Sequence, residues 1–481
     1  MTFGVAIGLV IGIAVTGLVI PYVRTESVLT TSATPRSVGT SGPSGETAAP
    51  AGTPGGDSSA GGGGAGNDQT AAAGADAQAA PGEAAPGPDR GVSDTEISLG
   101  VALIDVGAAK SFGFNFDIGD ERARYQALID AQNAAGGING RKIVPDYRTF
   151  DATNPNAPAQ AACIAWTQDV GVFSVLVESQ WPAAATVCVT GDGQTPLMTT
   201  DGVDQSYYAN NMLYTTQASD NRILADQAHY LAETGQLQGK KIGVLTGDGS
   251  ERLGVDNTLV PTLAQLGYQV ADVEVVPATT AGTQKTSVAI SNFKANGVDF
   301  VIVAANVILA GPFVQSADRA GYHPKYGLSD FNNEINDQVA SYYPDSFEGT
   351  VAISTHRFPE YRAGAPLAAA DQHCADRVQS ADPKVLPPTN SAFEVAMGDC
   401  AIFDAWVAAA TAAGPNLNRA SFAAAMEQQG RVAIPSTLDG SFGPGKHDAV
   451  DFEREVAWHK SCTCWELVNG LSTPQRQMEY P

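Results

Sequence analysis

The sequence predicts an α/β protein built as two doubly wound, Rossmann-like lobes with parallel sheets, preceded by a transmembrane helix and a disordered linker. Three observations predict it. Apolar, β-rich runs alternate with helical stretches, which implies parallel strands joined by right-handed crossovers. The alternation occurs twice, each time long enough for a domain of its own. The composition of the 481 residues also divides sharply near residue 90.

Residues 3–23 (FGVAIGLVIGIAVTGLVIPYV) carry no charge, and Arg24 ends the run. At the helical rise this stretch spans roughly the ~30 Å core of a bilayer. It reads as an uncleaved anchor, with a cleaved signal peptide as the alternative. Residues 31–90 contain 14 Gly, 15 Ala, 7 Pro, 6 Ser and 6 Thr, and no aromatic, Leu, Ile or Met. Such a stretch buries too little apolar surface to offset chain entropy, so 25–90 is expected to be a disordered tether.

The first βα series begins at 96–104 (EISLGVALI). A helix over 119–135 follows, stopped by Gly136 and Gly137. Next come strand 142–150, helix 157–169, strand 172–179, helix 182–190 and short strands at 196–200 and 212–216. Helix 219–234 follows, and a second series then starts. It contains strand 241–247, helix 251–266, strand 269–276, helix 282–295, strand 299–305, helix 309–320, and strands 325–329 and 349–354. These strands are nearly continuous in Val and Ile, as sheets covered on both faces require. Helices over 363–379, 391–413 and 418–428 follow, and the tail alternates turns with short strands around Trp458 and Trp465. Ligands bind beyond the carboxyl ends of strands in open α/β sheets, so two facing lobes predict a ligand cleft between them.

Net charge is −24; the first 89 residues hold 2 basic and 7 acidic side chains, which leaves −19 on the remainder. An acidic body without Lys/Arg runs disfavours nucleic acid. The six cysteines all lie after residue 90, and an even count in an exported chain suggests disulfides. Six permit fifteen pairings; proximity suggests Cys163–Cys188, Cys374–Cys400 and Cys462–Cys464. His459, Cys462 and Cys464 could instead bind zinc or copper, but an oxidising compartment favours the disulfide, so no metal is expected. No HExxH, GxSxG or GxxxxGK[ST] occurs, and Ser291-x-x-Lys294 falls by chance on a surface helix. No catalytic residue or cofactor is expected, and an enzyme is a remote alternative.

The segments GVSDTEISLGVALID (91–105), AAGGINGRKI (134–143), KKIGVLTGDGSERLG (240–254), VDFVIVAAN (298–306), QSADRAGYHPKYG (315–327) and DGSFGP (439–444) occur in this order. In this the chain resembles the branched-chain amino-acid-type substrate-binding proteins of ABC transporters, the extracellular ligand-binding receptors of the type I periplasmic-binding-protein fold. The resemblance covers about 91–470. It implies three hinge crossovers, with lobe 1 formed by 91–218 plus 357–430 and lobe 2 by 219–356 plus 431–481. It also implies capture of a small polar, amino-acid-like molecule at the extracellular face of the membrane by a monomer, and delivery to an ABC permease. A ligand-sensing ectodomain of the same fold is the alternative.

By position, the resemblance places ligand contacts on the strand-end loops: Asp105 and Phe112, then Ser179, Gln180 and Trp181, then Thr200 and Asp201, and in lobe 2 Asn306, Asp330 and Phe331. The family usually has small hydroxyl residues after its third strand. This chain keeps Ser179 but follows it with Gln180 and Trp181, and has Asn306 where an aromatic is common.

Overall fold

The computed structural model describes residues 89–112, 116–277, 282, 285–331, 334–335 and 337–478. The expected membrane helix lies outside these residues, as does the linker except for Asp89 and Arg90.

Five strands form the first sheet: β1 (Glu96–Asp105), β2 (Lys142–Asp151), β3 (Ser174–Val177), β4 (Leu197–Thr199) and β5 (Leu213–Thr215). Their order is β2-β1-β3-β4-β5, and every neighbour is parallel. Pro145 has no N–H to donate, and it is tolerated because β2 is an edge strand. Gly100 in β1 lets the fully buried Trp166 lie on the sheet; a Cβ there would sit 3.0 Å from the indole.

The covering helices start where the sequence offers caps. Asp120 accepts from Ala123 N–H at 3.0 Å ahead of helix Glu121–Ala134. Asn390 accepts from Phe393 N–H at 2.8 Å ahead of helix Ser391–Ala412. Each cap contributes about 1 kcal/mol. Helix Ser391–Ala412 is long and apolar enough to cross a membrane, but most of it is buried, and it packs on helices Glu121–Ala134 and Ala369–Val378. Disulfide Cys374–Cys400 ties it to the latter. Helices beginning at Asn156, Ala183 and Ser250 each run into a π segment, at 165–170, 188–192 and 255–259. The sequence reads through all three, because one extra residue in a turn barely disturbs the apolar period. Cys163–Cys188 joins the first two of these helices beneath the sheet.

The second sheet holds β6 (Ile242–Thr246), β7 (Val270–Val275), β8 (Phe300–Ala304) and β9 (Lys325–Gly327), parallel in the order β7-β6-β8-β9. A parallel bridge from Leu328 to Ala352 leads on to β10 (Val351–Ser354). The tail first forms a hairpin, β11 (Gly430–Val432) and β12 (Gly440–Phe442). It then adds β13 (Phe452–His459) and β14 (Cys464–Leu467) antiparallel beyond β10. The second sheet is therefore mixed, not parallel throughout. Trp458 and Trp465, paired in register, pack with Tyr343 and Phe347 there.

The chain passes between the sheets three times: after β5, after β10 and before β13. Residues 430–450 stay with the first sheet. Thr215 N–H donates to His447 O at 2.9 Å, and Tyr214 packs on Phe442 and His447. At the opposite end of β1, Asp89 pairs with Arg419. Arg90 donates to Thr167 O, Gly193 O and Thr195 Oγ1 at 2.6–2.7 Å.

Candidate functional site

All five strands of the first sheet run the same way, so their carboxyl ends line up along one rim. That rim, the passages between the sheets and the start of helix Val307–Arg319 enclose a cavity. Its empty space is about 800 Å³, counted with its open mouth. Its wall is largely apolar, from Ile104, Val106, Phe116, Ile118, Val307, Ile308 and Phe358. Phe116 also meets Tyr342 of the second sheet's body edge to face, with ring centroids 6.5 Å apart.

The polar lining converges from distant parts of the chain. Ser179, Gln180 and Thr200 follow β3 and β4; Gln217 and His356 lie in two of the passages; Glu394 and Gly398 come from helix Ser391–Ala412. Glu178 ends the apolar run of β3. Its Oε1 is 3.4 Å from Thr200 Oγ1, and its buried Oε2 has no hydrogen-bond partner. Burial, reinforced by the Asp399 charge, pushes the Glu178 carboxyl up to about 8. Behind it, Arg124 bridges Asp399 and Asp382, each at 2.7 Å. Glu121 Oε2 accepts from Ile104 N–H at 2.7 Å, and burial followed by the Asp399 charge raises its carboxyl well above the usual range.

Of the expected contacts, Ser179, Gln180 and Thr200 reach this cavity. Trp181, Asp201 and Asn306 line an adjoining space at the mouth. Trp181 is buried against Phe150 and Trp166, with ring centroids 5.3 and 6.0 Å away. Asp201 turns inward: its two oxygens accept from Gln180 and Trp181 N–H at 3.0 and 2.9 Å. Those bonds hold Gln180 at φ 62, rare for a residue with a side chain. Burial raises the Asp201 carboxyl to about 6. Asn306 caps helix Val307–Arg319 through Ile308 N–H at 3.1 Å.

Three expected contacts lie off the cavity wall. Asp105 is exposed and accepts from Gly107 N–H at 2.8 Å, closing its own turn. Asp330 is buried and braces a passage through Oδ2, which accepts from Ser354 Oγ at 2.8 Å, Thr355 Oγ1 at 2.9 Å and Thr355 N–H; with Phe331 it lines a small space that shares Thr200 and Gln217 with the cavity. Phe331 is fully buried in the core. Phe112 falls in a 3₁₀ turn, and its side chain lies outside the described residues. His459, Cys462 and Cys464 sit at the β13–β14 turn, where the two sulfurs are bonded to each other. A disulfide sulfur is no thiolate ligand.

Sequence reasoning missed Glu178, Gln217, His356, Glu394 and Gly398. Glu178 carried a signal, a carboxylate closing an otherwise apolar strand. Gln217 and His356 carried none, since their proximity depends on two passages 139 residues apart.

Two α/β halves, three passages and a cavity at the strand ends define a ligand-binding protein of the bilobed class. The chain belongs to the periplasmic binding protein family, whose model matches residues 97–453. It has the type I fold. No curated protein matches it. Among solved structures it is similar to a fatty acid ABC transporter substrate-binding protein from Thermomonospora curvata (TM-score 0.58, 16% identity, covering 79% of this chain and 93% of that one). It is also similar to a branched-chain amino acid ABC transporter protein from Thermus thermophilus with bound valine (TM-score 0.60, 11% identity, 81% and 98% covered). A solute-binding protein from Rhodopseudomonas palustris BisB5 in complex with 3,4-dihydroxybenzoic acid matches comparably (TM-score 0.58, 14%, 80% and 97%).

Proposed function

We propose that this protein captures a small organic solute between its lobes and hands it to an ABC permease. The observation that carries this reading is the cavity's wall: both sheets' bodies and two passages contribute to it. A ligand held there bridges the lobes and favours their closed arrangement, which is the differential contact a binding-driven closure needs. In this reading lobe 1 comprises 91–218 and 357–430, and lobe 2 comprises 219–356 and the tail from 451. Residues 431–450 are reassigned to lobe 1, because their bonds run to β5. Residues 3–23 anchor the protein, as a monomer, at the outer face of the membrane, and 25–90 serve as the tether.

Thermal unfolding of the full chain against a metabolite panel tests the reading. A ligand at a hundred times its dissociation constant adds about 2.7 kcal/mol of stability. The expected result is one saturable upward shift, with the compound recovered unchanged and the particle more compact in small-angle scattering. Stabilisation with chemical turnover would overturn it.

A further inference from the structure

The cavity's charge is one-sided. Among the described residues lining it, the titratable side chains are Glu178, Glu394 and His356; no Lys or Arg is present. Glu178 is more than nine-tenths buried and leaves one oxygen without a hydrogen bond. Such an oxygen is unfavourable unless something supplies a donor. Three carboxyl groups, Glu121, Glu178 and Asp399, gather around one guanidinium, that of Arg124, which Asp382 also engages. The region is short of positive charge, not negative.

Two backbone groups that could hold an anion are already engaged. The Gln180 and Trp181 N–H groups, which face the strand-end rim, are bonded to the protein's own Asp201. His356 stacks on Phe358 with centroids 5.0 Å apart; its Nε2 lies 3.3 Å from Gln217 Nε2 and 3.9 Å from Asp330 Oδ1, and its buried Nδ1 has no hydrogen-bond partner.

Resting on the solute-binding reading, we infer that the cavity takes a compact apolar amine without a carboxylate, its ammonium donating to Glu178 and its hydrocarbon body lying against Phe116, Val307, Ile308 and Phe358. The amine supplies the missing donor, and its ammonium favours the ionised form of Glu178, for which it is the counter-charge. A hydroxyl would supply only the donor, and an amino acid would bring a carboxylate into a wall that holds Glu178 and Glu394 and no Lys or Arg.

Titration calorimetry on the full chain tests this with four probes of one skeleton: 3-methylbutylamine, 3-methylbutanol, 4-methylpentanoic acid and leucine. The expected result is that the amine binds at least tenfold more tightly than each of the others. Glu178→Gln, which keeps shape and loses charge, lowers amine affinity at least tenfold while circular dichroism reports an unchanged fold. Leucine or the acid binding as tightly as the amine would overturn the inference and point to His356 as an anion partner. Equal binding of the alcohol, or no binding by any of the four, would overturn it too. In those cases the broader reading is judged separately, by whether another solute in the metabolite panel produces a saturable shift and compaction.

Discussion

Arg222 and Asp448 form an ion pair at 3.0 Å, with side chains only 1% and 3% exposed. Arg222 opens helix Asp220–Glu233 just after the first passage between the sheets; Asp448 lies just before the third. Asp448 also accepts from Ser219 N–H at 2.7 Å, and Arg222 donates to Val450 O at 2.7 Å. One buried pair thus fastens two of the three passages together.

Removing one partner strands a charge where water cannot reach it. Asp448→Ala is expected to cost about 3 kcal/mol, at the lower end for broken buried pairs, because Arg222 keeps Asp451 at 3.3 Å. Urea unfolding of the full chain measures this. A loss below about 0.5 kcal/mol would contradict the pair's structural role.

Stability should depend on pH in a direction unusual for an acidic protein. Burial pushes Glu178 and Glu453 up to about 8 and Asp220 to about 7. A carboxyl raised in the fold holds its proton more tightly there than in the unfolded chain, where it titrates near 4. Its contribution is complete below that value and is lost as pH climbs through 7 and 8. Asp448 acts in the opposite sense: against the cost of burial, Arg222 and Lys446 hold it below its ordinary value, so its share is lost in acid. The melting temperature should therefore fall between pH 6 and 8.5, and Glu453→Gln should flatten that fall. A melting temperature that rises steadily to pH 8.5 would exclude this.

Gly398 has no room for a side chain. A Cβ there would lie 2.6 Å from Glu178 Oε1. Gly398→Ala must displace the Glu178 carboxyl, an overpacking strain of about 1–3 kcal/mol. Calorimetry with the solute that binds should show at least a tenfold loss of affinity in a variant that still melts cooperatively. Unchanged affinity would remove Glu178 from the site.

The three disulfides should differ in access. Cys163, Cys188, Cys374 and Cys400 are buried, whereas Cys462 is exposed at a hairpin turn. Mild reduction followed by alkylation and mass spectrometry should label Cys462 and Cys464 first. Replacing Cys163 and Cys188 together with Ser should cost about 2–4 kcal/mol, by freeing a 25-residue loop in the unfolded chain. Simultaneous labelling of all six would show that the body opens as one unit.

The longer parallel strands were legible because they carry Val and Ile runs between helices, as 300–304 (FVIVA) shows. The antiparallel edge was not, since β13 and β14 join β10 from a hundred residues downstream. Within the site, strand-end position located Ser179, Gln180 and Thr200. Asp105 and Asp330 share that position but lie off the cavity wall, since it suits a turn or a hydrogen-bonded brace equally well. Glu394 and Gly398 lie on an Ala-rich helix whose pattern reads as core, and most of that helix is core. Only tertiary placement separates its cavity-facing residues from the rest.

The clamp at Asp89 and Arg90 has a mechanical consequence. These side chains rivet the amino end of β1 to Arg419 and to the turns before β3 and β4. The ten residues of β1 set roughly 33 Å between that rivet and the cavity rim. Tension applied ahead of Asp89 is borne along the strand, as shear on the ladders with β2 and β3. The rivet and the cavity rim sit at opposite ends of one strand, so a load on the rivet falls on the ladder before it reaches the rim.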